Sequence, residues 1–396
     1  MIKYIDDCAV NGILYDYKKV RKLYKSLNCP KDYYNPCTAP IERTSWFVEL
    51  SQRSTGKTTN WLLWGLCMYQ LYGTVTHYVR SSESEILPKV SRSMFAVILD
   101  NDYISKITDN KYNSITYRAR RWYLCKVDEQ GDIVETDPNY CVYMCSVDKE
   151  IQIKSTLNCP TGDLVIFDEF ISASKFMYCD FVQFCDLCKT IFRDRLSGKI
   201  VLLANTIDKE NQYFHELEIY DRLSEMEIGD NCLHVTDLGT PVYVEIVGTP
   251  TVLKKRKKRF NKLFLGFKNT KLSGITGEST WSVNNYPHIL DMDYKTVYRN
   301  IYICHNNKYV NLEVITNETG VAIYCHWATQ IHEDSVQLVH HEVTNINEHY
   351  GIAEDTCFAA LFKYCCAMHR IYFASNDVGT FVQNYLNQCG IKLPLL

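Results

Sequence analysis

Trp46-Phe47-Val48-Glu49-Leu50 is an apolar run that leads into Ser51-Gln52-Arg53-Ser54-Thr55-Gly56-Lys57-Thr58-Thr59, and that turn leads into Asn60-Trp61-Leu62-Leu63-Trp64. Strand, small-residue turn and helix in that order make a cradle for a phosphate. Successive backbone N–H groups curl round the anion, and the helix N-terminus points its positive end at it. Lys57 is placed to reach the β- and γ-phosphates of a nucleotide, and the Thr58 hydroxyl to ligate Mg²⁺. The usual pattern is G-x-x-x-x-G-K-[ST], and Ser51 takes the place of its first glycine. The competing reading is a Ser/Thr-rich turn with a solvated lysine. Gly-Lys-Thr alone does not separate the two, so the rest of the chain must.

Leu164-Val165-Ile166-Phe167-Asp168-Glu169 is the second strong signal. A continuous apolar run ending in two acids reads as a buried parallel strand with a reactive tip. Asp168 would sit in the Mg²⁺ shell, and Glu169 would orient and deprotonate an attacking water. A phosphate cradle followed by this strand makes a strand ending in merely solvated acids much the weaker alternative.

The chain has 396 residues and a formal net charge of -3, so it is long enough for two domains and carries no global basic bias. Nucleic-acid contact would have to come from local patches. The 18 cysteines follow an N-terminus too polar for a signal peptide, and read as reduced thiols. Cys185-Asp186-Leu187-Cys188 lacks a second ligand pair and reads as core packing. No apolar run reaches membrane-spanning length.

Other elements follow in order. A helix over 58–72 ends near Gly73, and Val75 to Arg80 is a strand. Ser81 to Glu85 starts a helix through Leu99. Residues 113–126 and 133–147 form a hairpin, with Arg118, Arg120 and Arg121 on its first strand. A helix over 178–193 precedes a buried strand, Ile200 to Asn205. This alternation predicts an α/β fold with a parallel sheet. Residues 241–252 are strand-like. Lys254 to Arg259 is the most basic run, either a phosphate-contacting helix or a solvated face. Three strands (297–303, 309–315, 320–327) and helices over 352–372 and 378–390 predict a smaller α+β domain.

With these residues in place, the chain resembles the DNA packaging ATPases (encapsidation proteins, terminase-like) of small phi-29-like tailed bacteriophages. The resemblance runs from about Tyr33 to near the C-terminus. It is carried by Tyr78-Val79-Arg80, Arg120-Arg121-Trp122-Tyr123, Ile166 to Ile171, Phe192-Arg193-Asp194-Arg195, Ala204-Asn205 and Asn211-Gln212-Tyr213-Phe214. It implies a P-loop ATPase of the additional-strand (ASCE) type over 1–225, a linker or lid over 226–275, and an RNase H-like domain with a vestigial nuclease over 276–396. It gives Arg193 the place of an arginine finger acting on a neighbour's γ-phosphate, Lys154 that of a second trans-acting cation, and Asn205 that of a γ-phosphate sensor. Within one subunit, Arg193 could instead pair with Asp194 or Glu169, and Lys154 could be a solvated loop residue.

Taken together, the Walker A segment Ser51, Gln52, Arg53, Ser54, Thr55, Gly56, Lys57, Thr58 and Thr59 is expected to hold ATP. Thr58 and the Walker B Asp168 are expected to hold Mg, and Glu169, Lys57, Arg193, Lys154 and Asn205 to carry catalysis. The implied partners are double-stranded DNA, a portal on the procapsid, a structural packaging RNA and further copies of the chain in a homopentameric ring, in the host cytoplasm. Ser81 to Glu85 is more acidic than a DNA-gripping loop should be. The rival functions are a terminase-like protein with a live metal-dependent nuclease, and a nucleotide-dependent assembly protein without catalysis. Around Cys304-His305, Glu313 and Cys325-His326-Trp327 the second domain is short of nuclease carboxylates.

Overall fold

The computed structural model describes residues 15–51, 55–87, 92–149, 161–171, 180–193, 195–205, 211–248, 286, 293–298, 300–305, 308–339, 343–351 and 357–388. They fall into two compact units, the second consisting mainly of residues 282–396.

The first unit is built on a nine-stranded sheet. Its strands are β1 Trp46–Ser51, β2 Val75–Arg80, β3 Ser114–Arg118, β4 Arg121–Val127, β5 Ile133–Ser146, β6 Gly162–Asp168, β7 Lys199–Ala204, β8 Asn231–Val235 and β9 Pro241–Val247. Their order is β3-β4-β5-β2-β6-β7-β1-β9-β8. From β5 to β9 the neighbours run parallel, and antiparallel pairs close both edges. The central strands read as unbroken apolar runs because both faces are covered, and β7 is buried at every residue. β7 lies between β1 and β6. This is the additional strand of an ASCE-type P-loop fold.

The helices here are α1 Tyr17–Ser26, α2 Lys57–Tyr72, α3 Ala96–Asp100, α4 Tyr103–Ile107, α5 Asp180–Phe192, α6 Gln212–Glu216 and α7 Tyr220–Glu225. Most of α2 is buried, from Asn60 through Tyr69, packed into a core with Phe47, Tyr78, Ile166 and Val201. It ends at Gly73 in the left-handed conformation, whose N–H donates to the Tyr69 carbonyl at 2.8 Å.

Three expectations are corrected here. Residues 113–126 are not one strand: Ala119 and Arg120, both at positive φ, turn the chain between β3 and β4. A turn with two left-handed residues is usually spelled with Asn or Gly, so Ala-Arg hid it. The helix expected through Leu99 is instead 3₁₀ turns at Glu83–Glu85 and Arg92–Phe95, then the short α3. Pro88, which no helix interior accommodates, lies outside the described residues. Finally, β8 and β9, expected in a linker over 226–275, belong to the first sheet. β9 pairs with β1, and its Tyr243 and Val247 join the core of the first unit.

The second unit carries β10 Lys295–Tyr298, β11 Ile301–His305, β12 Lys308–Asn317, β13 Gly320–Ala328, β14 Val336–Val339, β15 Glu348–Tyr350 and β16 Ile371–Phe373, with α8 Cys357–Ala367 and α9 Asn376–Gln388. The order is β15-β14-β11-β12-β13-β16, and β10 pairs with the far end of β12. β11, β12 and β13 are antiparallel neighbours. One sheet face, with Ile303, Leu312, Ile323 and Cys325, is packed with Phe362 of α8 and Phe381 and Leu386 of α9. The stretch 297–303 therefore divides between β10 and β11, and 352–372 between α8 and β16. Lys254 to Arg259, and with it 249–275 of the expected linker, lies outside the described residues.

Candidate functional site

Parallel strands deliver their C-terminal ends to one edge, and that is where an open α/β sheet binds ligands. Ser51 ends β1, Asp168 ends β6, and Asn205 follows β7. The register pairs Leu50 with Ala204 and Asp168 with Leu203, so all three arrive level.

After β1 the chain turns through Thr55 and Gly56. Gly56 stands at φ 78°, and a Cβ there would lie 2.6 Å from the Tyr33 ring, so this position needs glycine. Lys57 then opens α2 and is only 5 % exposed. Its Nζ donates to the Ser51 hydroxyl and to Asn205 Oδ1 at 3.3 Å. Ser51 Oγ also lies 2.8 Å from Thr55 Oγ1. The serine that replaces the usual glycine thus uses its hydroxyl to hold the lysine. Burial pushes the Lys57 ammonium down to about 8, against the opposing charges of Asp168 and Glu169.

On the other side of the edge, Thr58 Oγ1 donates to Asp168 Oδ2 at 3.0 Å. The Tyr78 hydroxyl donates to the same oxygen at 2.6 Å. Glu169 stands at φ 54°, a left-handed conformation that costs a residue with a Cβ about 1–2 kcal/mol. Its side chain meets Arg80, whose Nη2 donates to Glu169 Oε2 at 2.6 Å. The same guanidinium donates from Nε to Glu85 at 2.9 Å, and its Nη1 is 3.7 Å from Asp168. Burial works against the charge on Arg80, but Tyr78, Asp168, Glu169 and Glu85 hold its pKa above the ordinary guanidinium value.

The structure thus brings together Ser51, Thr55, Lys57, Thr58, Asp168, Glu169 and Asn205. Gln52, Arg53, Ser54 and Lys154 lie outside the described residues, and Thr59 follows Thr58 in α2. Arg193 caps α5 at φ 52° and is exposed. Of its two intrachain alternatives, Glu169 is engaged by Arg80, and Asp194 lies outside the described residues. Arg195 is the opposite case. It is largely buried, donates to Asp163 Oδ1 at 2.7 Å, and donates to the carbonyls of Gly162 and Ile191. One arginine of that short stretch builds the fold, and the other faces solvent.

Sequence reasoning gave Arg80 and Tyr78 no role. The signal was present: they lie on one face of β2, and pairing of Val79 with Phe167 sets Arg80 level with Asp168. Only the adjacency of β2 and β6 makes that readable.

In the second unit Glu313 is buried on β12. It accepts a hydrogen bond from Thr296 and faces His326 Nε2 at 3.2 Å. Among the described residues no group of three His, Cys, Asp or Glu side chains is arranged to hold a metal ion, and no helix is long and apolar enough to cross a membrane.

No protein-family model matches the sequence, and no curated protein matches it. Solved structures do. The Phi-28 gp11 DNA packaging motor matches with a TM-score of 0.53 at 15 % identity, over 92 % of this chain and 99 % of that one. A chain of the bacteriophage Phi-29 viral genome packaging motor assembly matches with a TM-score of 0.51 at 18 % identity, over 90 % and 99 %. The chain therefore has the fold of these phage packaging motors along nearly its whole length.

Proposed function

We propose that this protein is a viral DNA packaging ATPase, which hydrolyses ATP with Mg²⁺ and drives double-stranded DNA into a procapsid as a homo-oligomeric ring. The observation that carries the reading is the convergence at one sheet edge of a buried lysine held by Ser51 and Asn205 and a Thr58 hydroxyl on the Asp168 carboxylate. The likeness in fold to packaging motors supports the coupling to DNA.

The roles follow from the chemistry of each group. Lys57 neutralises charge on the β- and γ-phosphates while backbone N–H groups of the loop enclose them. Thr58 and Asp168 offer hard oxygen donors side by side, which fits Mg²⁺. The cation, when bound, neutralises phosphate charge. Glu169 orients the attacking water and accepts its proton, which first requires release from Arg80. Asn205, already in contact with Lys57, reports the γ-phosphate. Arg193, exposed while Glu169 is engaged by Arg80, reaches a neighbouring subunit's nucleotide, with Lys154 as a second such cation. A cation supplied across an interface stabilises the transition state and ties hydrolysis to ring geometry. DNA is held through its phosphates, so binding is salt-sensitive and largely indifferent to sequence. The second unit serves docking on the portal or a packaging RNA, and not DNA cleavage.

The test is the steady-state ATPase rate without DNA, with single-stranded DNA and with double-stranded DNA, on procapsids as well as on isolated protein, with Lys57→Ala as the blank. Stimulation by duplex supports the proposal, provided it is lost in Arg193→Ala and restored when Arg193→Ala and Glu169→Gln subunits are mixed. A rate equal to the blank even on procapsids overturns it.

A further inference from the structure

A buried carboxyl that the proposed chemistry does not use braces the phosphate loop from behind. Glu49 lies within β1 on the same face as Ser51 and is fully buried. Its Oε1 accepts two hydrogen bonds, from the Tyr34 hydroxyl and from Trp61 Nε1 at 2.8 Å. Its Oε2 has no hydrogen-bond partner among the described residues. Opposite it on β9 stands Glu245, which accepts from the Tyr243 hydroxyl at 2.9 Å. Burial first, and then Glu245, raise the Glu49 pKa well above the carboxylate range.

Both donors lead to the helix side of the loop, while Glu49 itself stands on the strand side. The Tyr34 N–H donates to the Thr55 carbonyl at 2.9 Å, so Tyr34 holds the loop where it approaches Gly56. Trp61 lies one turn beyond Lys57 in α2, and so belongs to the helix that carries the phosphate-binding lysine. The two rings also stack on one another, with centroids 6.2 Å apart. A second tether runs in parallel. The Tyr24 hydroxyl donates to Asn60 Oδ1 at 2.6 Å, and Asn60 Nδ2 donates to the Gly56 carbonyl at 2.8 Å. A carboxyl in a core is unfavourable beside an aliphatic side chain of similar size unless its bonds are used. Here they join the strand side of the loop to its helix side.

We infer that Glu49 is a positioning residue for nucleotide binding: by accepting from Tyr34 and Trp61 together it sets strand β1, which enters the phosphate loop at Ser51, against the helix end of the loop at Thr55 to Lys57. The inference rests on the nucleotide-binding reading above. The carboxyl acts as an acceptor, not as a charge, so an amide at the same position does the same work.

The test uses full-length wild type, Glu49→Gln, Glu49→Leu, Tyr34→Phe and Lys57→Ala. Each is titrated with a fluorescent ADP analogue and Mg²⁺, and each is melted without nucleotide. Tyr34→Phe and Glu49→Leu are expected to bind about tenfold more weakly than wild type, the scale of one or two lost buried hydrogen bonds. Glu49→Gln is expected to bind as wild type does, and Tyr34→Phe to melt no more than a few degrees below wild type and so to stay fully folded at the titration temperature. Should Glu49→Leu fail to fold, Tyr34→Phe with Glu49→Gln decides the question. Wild-type affinity in Tyr34→Phe, alongside loss in Lys57→Ala, overturns the inference and leaves nucleotide binding standing. So does an affinity loss in Glu49→Gln, or one that tracks the melting temperature across all variants. If wild type and Lys57→Ala alike fail to bind, the nucleotide reading falls and the inference with it.

Discussion

The two sheets of this molecule each bury ionisable groups, and they put them to different use. In the first, parallel strands β1, β6 and β7 end at one edge, so Lys57, Asp168, Glu169 and Asn205 meet although they are far apart in the chain. In the second, β11, β12 and β13 alternate in direction. Glu313 lies within its strand, answered locally by Thr296 and His326. Parallel strands gather side chains from distant segments at one end, whereas an antiparallel meander sends alternate strand ends to opposite edges. One chain thus carries a sheet that gathers ionisable groups at one edge and a sheet that answers a buried acid with neighbours on its own strands.

The largest expected effect divides the two sheets directly. Lys57→Ala should lower ATP turnover on the order of a hundredfold or more, the scale of removing a preorganised charge from a phosphate site. Glu313→Gln should leave turnover within about twofold, because Glu313 is engaged within its own unit by Thr296 and His326 and has no part in the proposed nucleotide chemistry. Plasmid cleavage with Mn²⁺ by wild type that vanishes in Glu313→Gln would break the comparison.

Within the first sheet, Arg80→Ala should lower kcat about tenfold and leave nucleotide affinity within about twofold, because Arg80 meets the acids and not the phosphate loop. A rise in KM with kcat unchanged would move Arg80 to the binding side.

A smaller effect comes with pH. Lys57 titrates at about 8 without nucleotide, so its charge fades as pH rises from 7 to 9. ADP affinity should fall several-fold over that interval, and Lys57→Ala should show no such slope. The stability term has the opposite sign. Between about 8 and the ordinary lysine value the unfolded chain holds the proton that the folded one has lost, so this group makes folding more favourable as pH rises.

The smallest effect concerns Glu49, whose pKa is raised. Above the ordinary carboxylate value the unfolded chain releases this proton first, so the group lowers stability as pH rises toward its folded pKa. Glu49→Gln should melt a few degrees above wild type at pH 8, with the difference closing as pH approaches 4.5. A constant difference across pH would mean that Glu49 is ionised in the folded protein throughout.

Much of the site is legible in the sequence. The run Trp46 to Thr59, and the apolar strand ending in Asp168 and Glu169, announce themselves because residue type and local geometry coincide there. The left-handed Gly56 and the hydroxyl of Thr58 are demanded by the turn itself. Ser51 is legible as a departure from the pattern but not as a lysine anchor, since its contact with Lys57 depends on how the loop closes. Arg80 and Tyr78 are visible as a dipeptide spacing and silent as to partner. The β3–β4 turn escapes because Ala119-Arg120 adopts a backbone that those residues seldom announce.

By itself the sequence determined the elements whose cause lies within one stretch of chain: the strand, turn and helix of 46–72, the buried β6 and β7, and the α/β character of the whole. Period, turn chemistry and capping act over a few residues, so they are written locally. Only the tertiary structure decided that β7 separates β1 from β6, that β8 and β9 extend the first sheet, that Arg80 closes on Glu169, and that Glu49 is answered by Tyr34 and Trp61. Those outcomes depend on which strands pair and which faces are buried together. They are settled by cross-strand hydrogen bonding and packing between segments distant in sequence, where no single segment carries the information.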